Sequence, residues 1–281
     1  LATTRRRLAS LRTTDMDLDF SEEQDMLRTA VRSLCADMAD SVRSLENDPR
    51  GYDDGFWSQL TSMGLTGMMV PEAYDGSGMA LLDAVVVYEE FGRSLVPSPH
   101  FASSVVSTGV LLAGGSDAQK ASWLPRIAAG EAIITPAWLE PDNSSGPSGV
   151  QMTAVETDDG VVLTGAKRHV PFASSADRLI VPARSTAGID LYLVDPTSEG
   201  VTLTQQLTVA SDTQYRIDFD EVLVPSDGRI GPPGGGWEIW HTSMLDAIVL
   251  VAAQAIGAAD QENDVPGLIP PTPQFFGERR A

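Results

Sequence analysis

Few side chains in this sequence have the type and spacing that catalysis or ligand binding requires. It has three histidines and one cysteine. Cys35 is the only thiol nucleophile on offer, and it falls on the apolar side of a helical pattern, where it reads as a small core residue. Asp53, Asp54 and Asp75 have no His or Cys at ligand spacing, so no metal site is expected. Gly234-Gly235-Gly236 lacks the Lys-Ser/Thr of a phosphate loop and reads as a linker. Arg168, Arg178, Arg184 and Arg216 could offset the phosphates of an anionic ligand, with surface ion pairs as the plainer role. His169 could move a proton near neutral pH; a surface or packing histidine is the expectation.

These residues must be positioned by ordinary soluble architecture. The chain has 281 residues, enough for two domains, with 42% hydrophobic and 21% charged residues. The formal net charge of −20 disfavours nucleic acid and anionic lipid as partners. The most apolar stretch, Ala247 to Ala259, is interrupted by Gln254 and reads as a buried core helix, so no membrane span is expected and the location is read as cytoplasmic. Residues 1–15, with Arg5, Arg6, Arg7 and Arg12 against Asp15, read as a disordered extension, and the acidic run from Met16 as the start of the ordered chain.

Residues 16–131 read as helical. Ser21 and Gln24 fit a capping box. Leu27, Val31, Leu34, Met38 and Val42 recur at steps of three or four. A second helix holds Phe56, Trp57, Leu60 and Met63 and ends at Gly64. The turn Val70 to Gly78 offers Gly76 and Gly78 for positive φ, and a helix from Leu81 to Arg93 has Gly92 available as its cap. Further helices are expected near 101–113 and 117–129. Residues 132–232 change texture. A hairpin signal at Asp159-Gly160 and short β-rich runs, among them Tyr215 to Val224 with Tyr215, Ile217, Phe219 and Glu221 alternating, predict an antiparallel β-barrel or sandwich. Residues 233–260 return to helix, and 261–281, rich in proline, read as an irregular tail. The fold class is α+β multidomain: a helical N-terminal domain, an antiparallel barrel, and the first helix of an incomplete C-terminal helical domain.

This order resembles the acyl-CoA dehydrogenase family over about residues 18–260. The stretches that carry the resemblance are Phe20-Ser21-Glu22-Glu23-Gln24; Val70-Pro71-Glu72 with Asp75-Gly76-Ser77-Gly78; Glu89-Glu90-Phe91-Gly92-Arg93; Ser116 to Lys120 with Trp123-Leu124-Pro125; and Asp220 to Pro225 with Gly235-Gly236-Trp237. The resemblance implies α,β-desaturation of an acyl-CoA thioester. A carboxylate takes the α-proton, hydrogen bonds polarise the thioester oxygen, and the β-hydride passes to FAD. It also implies an oligomer, homomeric or with a paralogue, and an electron-transfer acceptor.

Carried over residue by residue, the resemblance puts two elements against the flavin. One is the turn from Trp138 to Ser145, where Leu139 stands in place of a threonine and Ser145 in place of a serine; an ordinary barrel loop is the alternative. The other is His169-Val170-Pro171, which replaces an aromatic–aliphatic–threonine triplet. There proline removes both hydroxyl and N–H. A base on the last helix would fall at Ala247, followed by an arginine position held by Ile248. Asp246 is one residue away, a rotation of about 100°, and is the one candidate base, with a solvated helix-surface aspartate as the alternative. The leading expectation is a dehydrogenase-like flavoprotein completed by a partner chain. Its alternatives are a non-catalytic structural subunit or an inactive truncated product.

Overall fold

A computed structural model describes residues 19–38, 42–45, 48–141, 144–209 and 212–264, with residues 262–264 described by backbone alone. The extension 1–15 and the residues beyond Asp264 lie outside the described residues.

Helix α1 (Glu22–Ala36) starts where the Ser21–Gln24 box closes in both directions: Gln24 N–H donates to Ser21 Oγ, and Ser21 N–H to Gln24 Oε1. Its stripe buries Val31, Leu34 and Cys35 and packs Leu27 and Met38 against the same core. Burial pushes the Cys35 thiol up to about 12, so it is inert. Helix α2 (Asp54–Ser62), capped by Asp53, buries Phe56, Trp57 and Leu60. In the turn that follows, Gly78 takes positive φ as expected, but the second left-handed residue is Asp75 rather than Gly76. Gly76 is instead needed because its Cβ would strike the Val70 carbonyl.

Helix α3 (Leu81–Ser94) runs past Gly92 and is capped by left-handed Leu95. Gly92 is therefore not a cap. It lies against α6 (Gly236–Asp264), where a Cβ would overlap the Gln254 carbonyl oxygen; Gly257 of α6 likewise meets the Glu89 carbonyl of α3. Two glycines facing two carbonyls fix the α3–α6 crossing. The expected helix near 101–113 is π-helical over Phe101–Ser107 before continuing as α4 (Thr108–Gly114), followed by α5 (Asp117–Ala128).

The strands are β1 (Ile134–Pro136), β2 (Thr153–Thr157), β3 (Gly160–Pro171), β4 (Arg178–Ser185), β5 (Gly188–Val194), β6 (Val201–Gln206), β7 (Gln214–Val224) and β8 (Arg229–Ile230). They form one sheet in the order β6-β7-β3-β2-β4-β5-β8, with β1 beside β4. The sheet is mixed rather than purely antiparallel, because β1 and β2 both run parallel to β4. The direction of β1 is set by the helices: Ser103 Oγ accepts the Ile134 N–H and Ser107 Oγ donates to the Ile134 carbonyl, tying the strand to the π-helical turn. The expected alternation of β7 buries Tyr215, Ile217 and Phe219, then breaks. Glu221 takes φ +50° beside a register shift, and the buried set moves to Val222 and Val224.

Helix α6 has 29 residues and extends past the expected end at residue 260. Gly236–Gln261, with mean hydropathy 1.6, is long and apolar enough to cross a membrane by length and composition. In the fold Trp240, Ala247, Leu250 and Ala253 face the core, while Leu245, Ile248, Val249, Val251 and Ile256 are exposed.

Candidate functional site

The site is assembled where the chain leaves β1. The segment Trp138-Leu139-Glu140 passes beside the end of β3, and two bonds from this segment and one from Thr135 of β1 hold the chain there. Arg168 N–H donates to the Leu139 carbonyl at 2.9 Å, Lys167 Nζ to Glu140 Oε1 at 2.8 Å, and Thr135 Oγ1 to the Pro171 carbonyl at 2.7 Å. The Glu140–Lys167 pair is buried. Glu140 also accepts the N–H groups of Gln151 and Met152, and Lys167 donates to the Pro182 carbonyl, so both charges are fully coordinated. Burial lowers the Lys167 pKa to about 8 against the opposing pull of Glu140.

Between Lys167 and Val170 the β3–β7 register shifts, and His169 sits in the bulge at φ +53°. Phe172 follows at φ +52°, so two non-glycine residues in the left-handed region bracket Val170-Pro171. The bulge is held by glutamines from the neighbouring strands. His169 N–H donates to Gln206 Oε1 at 2.9 Å, and His169 Nδ1 lies 2.8 Å from Gln214 Oε1. The Gln214 amide is oriented because its Nε2 donates to Asp212, whose other oxygen accepts from Thr208. Gln214 therefore presents a carbonyl, and His169 donates to it from Nδ1–H. Val170 is buried in the sheet core.

The structure thus brings Trp138, Leu139, His169, Val170 and Pro171 together. Ser145 lies on an exposed stretch of the loop between Glu140 and β2. Asp246 goes elsewhere: with Thr242, Ser243, Thr108 and Leu112 it lines a cavity of about 340 Å³ between α4 and α6. Ala247 points into the core and is fully buried, and Ile248 is exposed. Gln206, Asp212, Gln214 and Trp240 belong to the site without having been singled out in the sequence.

Do these residues fit a flavin? The ring would need donors for its carbonyl oxygens and pyrimidine nitrogens. Leu139 and Pro171 bring no hydroxyl, and Pro171 has no N–H. Both N–H groups of His169 are committed to glutamine oxygens. The Trp138 ring is packed on Trp240 of α6, with centroids 5.4 Å apart and planes tilted by 34°. The two His169 donors face the protein's own glutamines, and Leu139 and Pro171 offer no side-chain donor, so these positions do not fit the group that their place in the strand implies; the buried Arg168 Nε beside them has no partner among the described residues.

A second cavity, of about 820 Å³, adjoins the bulge at Phe172 and Asp212 and is walled by Tyr88, Phe91, His100 and Phe101. His100 is a packing residue. Its Nε2–H donates to the Leu65 carbonyl, Nδ1 accepts from the Tyr88 hydroxyl, and burial lowers its pKa to about 4. Among the described residues no group of three or more His, Cys, Asp or Glu could hold a metal ion.

Residues 21–131 match the family profile described as acyl-CoA dehydrogenase, N-terminal domain. Acryloyl-CoA reductase (NADH) of Anaerotignum propionicum is 25% identical over 262 residues, 89% of this chain and 66% of that protein. A solved glutaryl-coenzyme A dehydrogenase in complex with glutaryl-CoA is 25% identical at TM-score 0.79, covering 89% of this chain and 66% of that one. The ChsE4-ChsE5 complex from Mycobacterium tuberculosis shares the fold at 24% identity and TM-score 0.79, over 89% of this chain and 66% of that one. The chain thus spans just under two thirds of the length of these relatives. The helix–sheet–helix architecture is similar to that of the acyl-CoA dehydrogenases, and residues 21–131 match that family's N-terminal domain.

Proposed function

We propose that this chain is the framework of an acyl-CoA dehydrogenase-like flavoprotein, and that a partner chain completes a site for α,β-desaturation of an acyl-CoA thioester. Removal of an α-proton needs a carboxylate within hydrogen-bond reach of the reacting carbon. The family position on α6 is Ala247, fully buried, and Asp246 lines a different cavity. The base therefore has to come from outside the described residues.

The single observation that carries the reading is the outer face of α6. Leu245 (54% exposed), Ile248 (58%), Val249, Val251 and Ile256 (55%) form one contiguous apolar strip on a helix whose other face is locked to α3. An apolar strip of that extent is an association surface. The partner is read as an acyl-CoA dehydrogenase paralogue whose helices cover the strip. FAD and an electron-transfer acceptor belong to the completed assembly, and the relative solved as a ChsE4-ChsE5 complex supports a heteromer. The location is read as cytoplasmic, with α6 seated against protein and not in lipid. A second reading, a non-catalytic structural subunit, is favoured by the spent donors at the bulge.

The test is to co-express this chain with an acyl-CoA dehydrogenase paralogue from the same genome and purify through a tag on this chain. Acyl-CoA-dependent reduction of a dye acceptor is then measured. Turnover is expected from the mixed complex and not from the chain alone. A chain that sediments as a stable monomer and turns over by itself would sink the proposal.

A further inference from the structure

The bulge at His169 is not an eroded remnant of a flavin seat, because its polar groups have been re-used. Four polar groups around the bulge bond inward, while the buried Arg168 Nε beside it has no partner among the described residues. The His169 N–H is taken by Gln206, and the His169 imidazole by Gln214. The Pro171 carbonyl is taken by Thr135 and the Leu139 carbonyl by Arg168. Behind these, Thr208–Asp212–Gln214 forms a chain that sets the direction of the Gln214 amide. A flavin entering here would have to break the two His169 bonds without gaining a hydroxyl or an N–H from Leu139's side chain or Pro171. Each broken bond leaves a polar group that needs a new partner. The left-handed backbone of His169 and Phe172 is costly for non-glycine residues and persists because the surrounding bonds over-determine it.

From this we infer that the chain is the flavin-free member of its assembly, and that the flavin of the proposed complex is seated on the partner's sheet. The inference rests on the proposed heteromeric reading for where the flavin goes, but not for where it is excluded. It also predicts an asymmetric complex, with half the flavin per chain that a homomer of the partner would carry.

Two measurements test it. In the first, the purified, folded chain is titrated with FAD, and quenching of flavin fluorescence is followed, with circular dichroism as the check on folding. No saturable quenching is expected; saturable binding near one FAD per chain overturns the inference. In the second, the co-expressed complex is prepared with a partner variant whose own threonine at the position matching Pro171 is replaced by proline, and flavin absorbance is read against protein. A complex that assembles but is colourless supports the inference. One that keeps its yellow colour holds flavin on this chain and overturns it. If no mixed complex forms, the proposed function falls, and the titration of this chain still decides the flavin question.

Discussion

The α3–α6 crossing and the β3 bulge are built to opposite ends. At the crossing, two glycines each face a carbonyl of the other helix, so the approach is as close as backbones allow and no side chain intervenes. At the bulge, glutamine side chains from two strands converge on one left-handed histidine and engage its backbone N–H and Nδ1. The first arrangement fixes how two helices cross. The second turns the polar groups of one strand segment toward the protein's own side chains. Packing residues and polar surface residues thus answer to different constraints within one chain.

The largest expected effect lies just behind the bulge. Glu140→Gln leaves the Lys167 ammonium buried beside a neutral partner, and about 3–5 kcal/mol of stability should be lost. Replacing both residues with apolar ones of similar size should cost less than the single change. Urea unfolding of the single and double variants checks this, and a loss confined to a few tenths of a kcal/mol would mean the pair is not buried.

On the helical side, His100 offers a pH test. Its folded pKa lies below the unfolded value of 6.5, at about 4, so the unfolded chain binds the proton first. The sign is that stability is full above pH 6.5 and is lost as pH falls through that range toward 4, by about 3 kcal/mol. A His100→Gln variant should flatten that part of the stability–pH profile.

Gly92→Ala and Gly257→Ala should each cost about 1–3 kcal/mol through forced separation of α3 and α6. Melting of either variant at the wild-type temperature would show that the helices do not approach as described. The smallest effect belongs to the bulge surface. Gln206→Ala removes one partially exposed bond and should cost about 1 kcal/mol, read by thermal melts. If Gln206→Ala proves as damaging as Gly92→Ala, the contrast between the two regions collapses.

Much of the frame was legible in the sequence because local rules governed it. The Ser21–Gln24 box, the stripe through Val31 and Leu34, and the hairpin at Asp159-Gly160 all follow from short-range chemistry. The function of Gly92 was not legible. Its spacing suits a cap, and only the arrival of α6, more than 150 residues later, turns it into a contact. The mixed sheet was hidden for a similar reason, since the direction of β1 is set by hydroxyls on a π-helical turn. At the candidate site, Leu139 and Pro171 already showed in the sequence that no side-chain hydroxyl is offered there. The replacements did not show, because the partnership of His169 with Gln206 and Gln214 depends on strand register. Glu221 shows how fragile register is, for one bulge reverses the alternation on which the prediction of β7 rested.

The bulge at His169 is held by the protein's own bonds to Gln206 and Gln214. Hydrogen–deuterium exchange of the folded chain, with and without excess FAD, tests it at the His169 amide itself. Protection of that amide in the free chain, unchanged by FAD across 168–172, is the predicted result. An amide that exchanges freely alone and becomes protected only with FAD would contradict it.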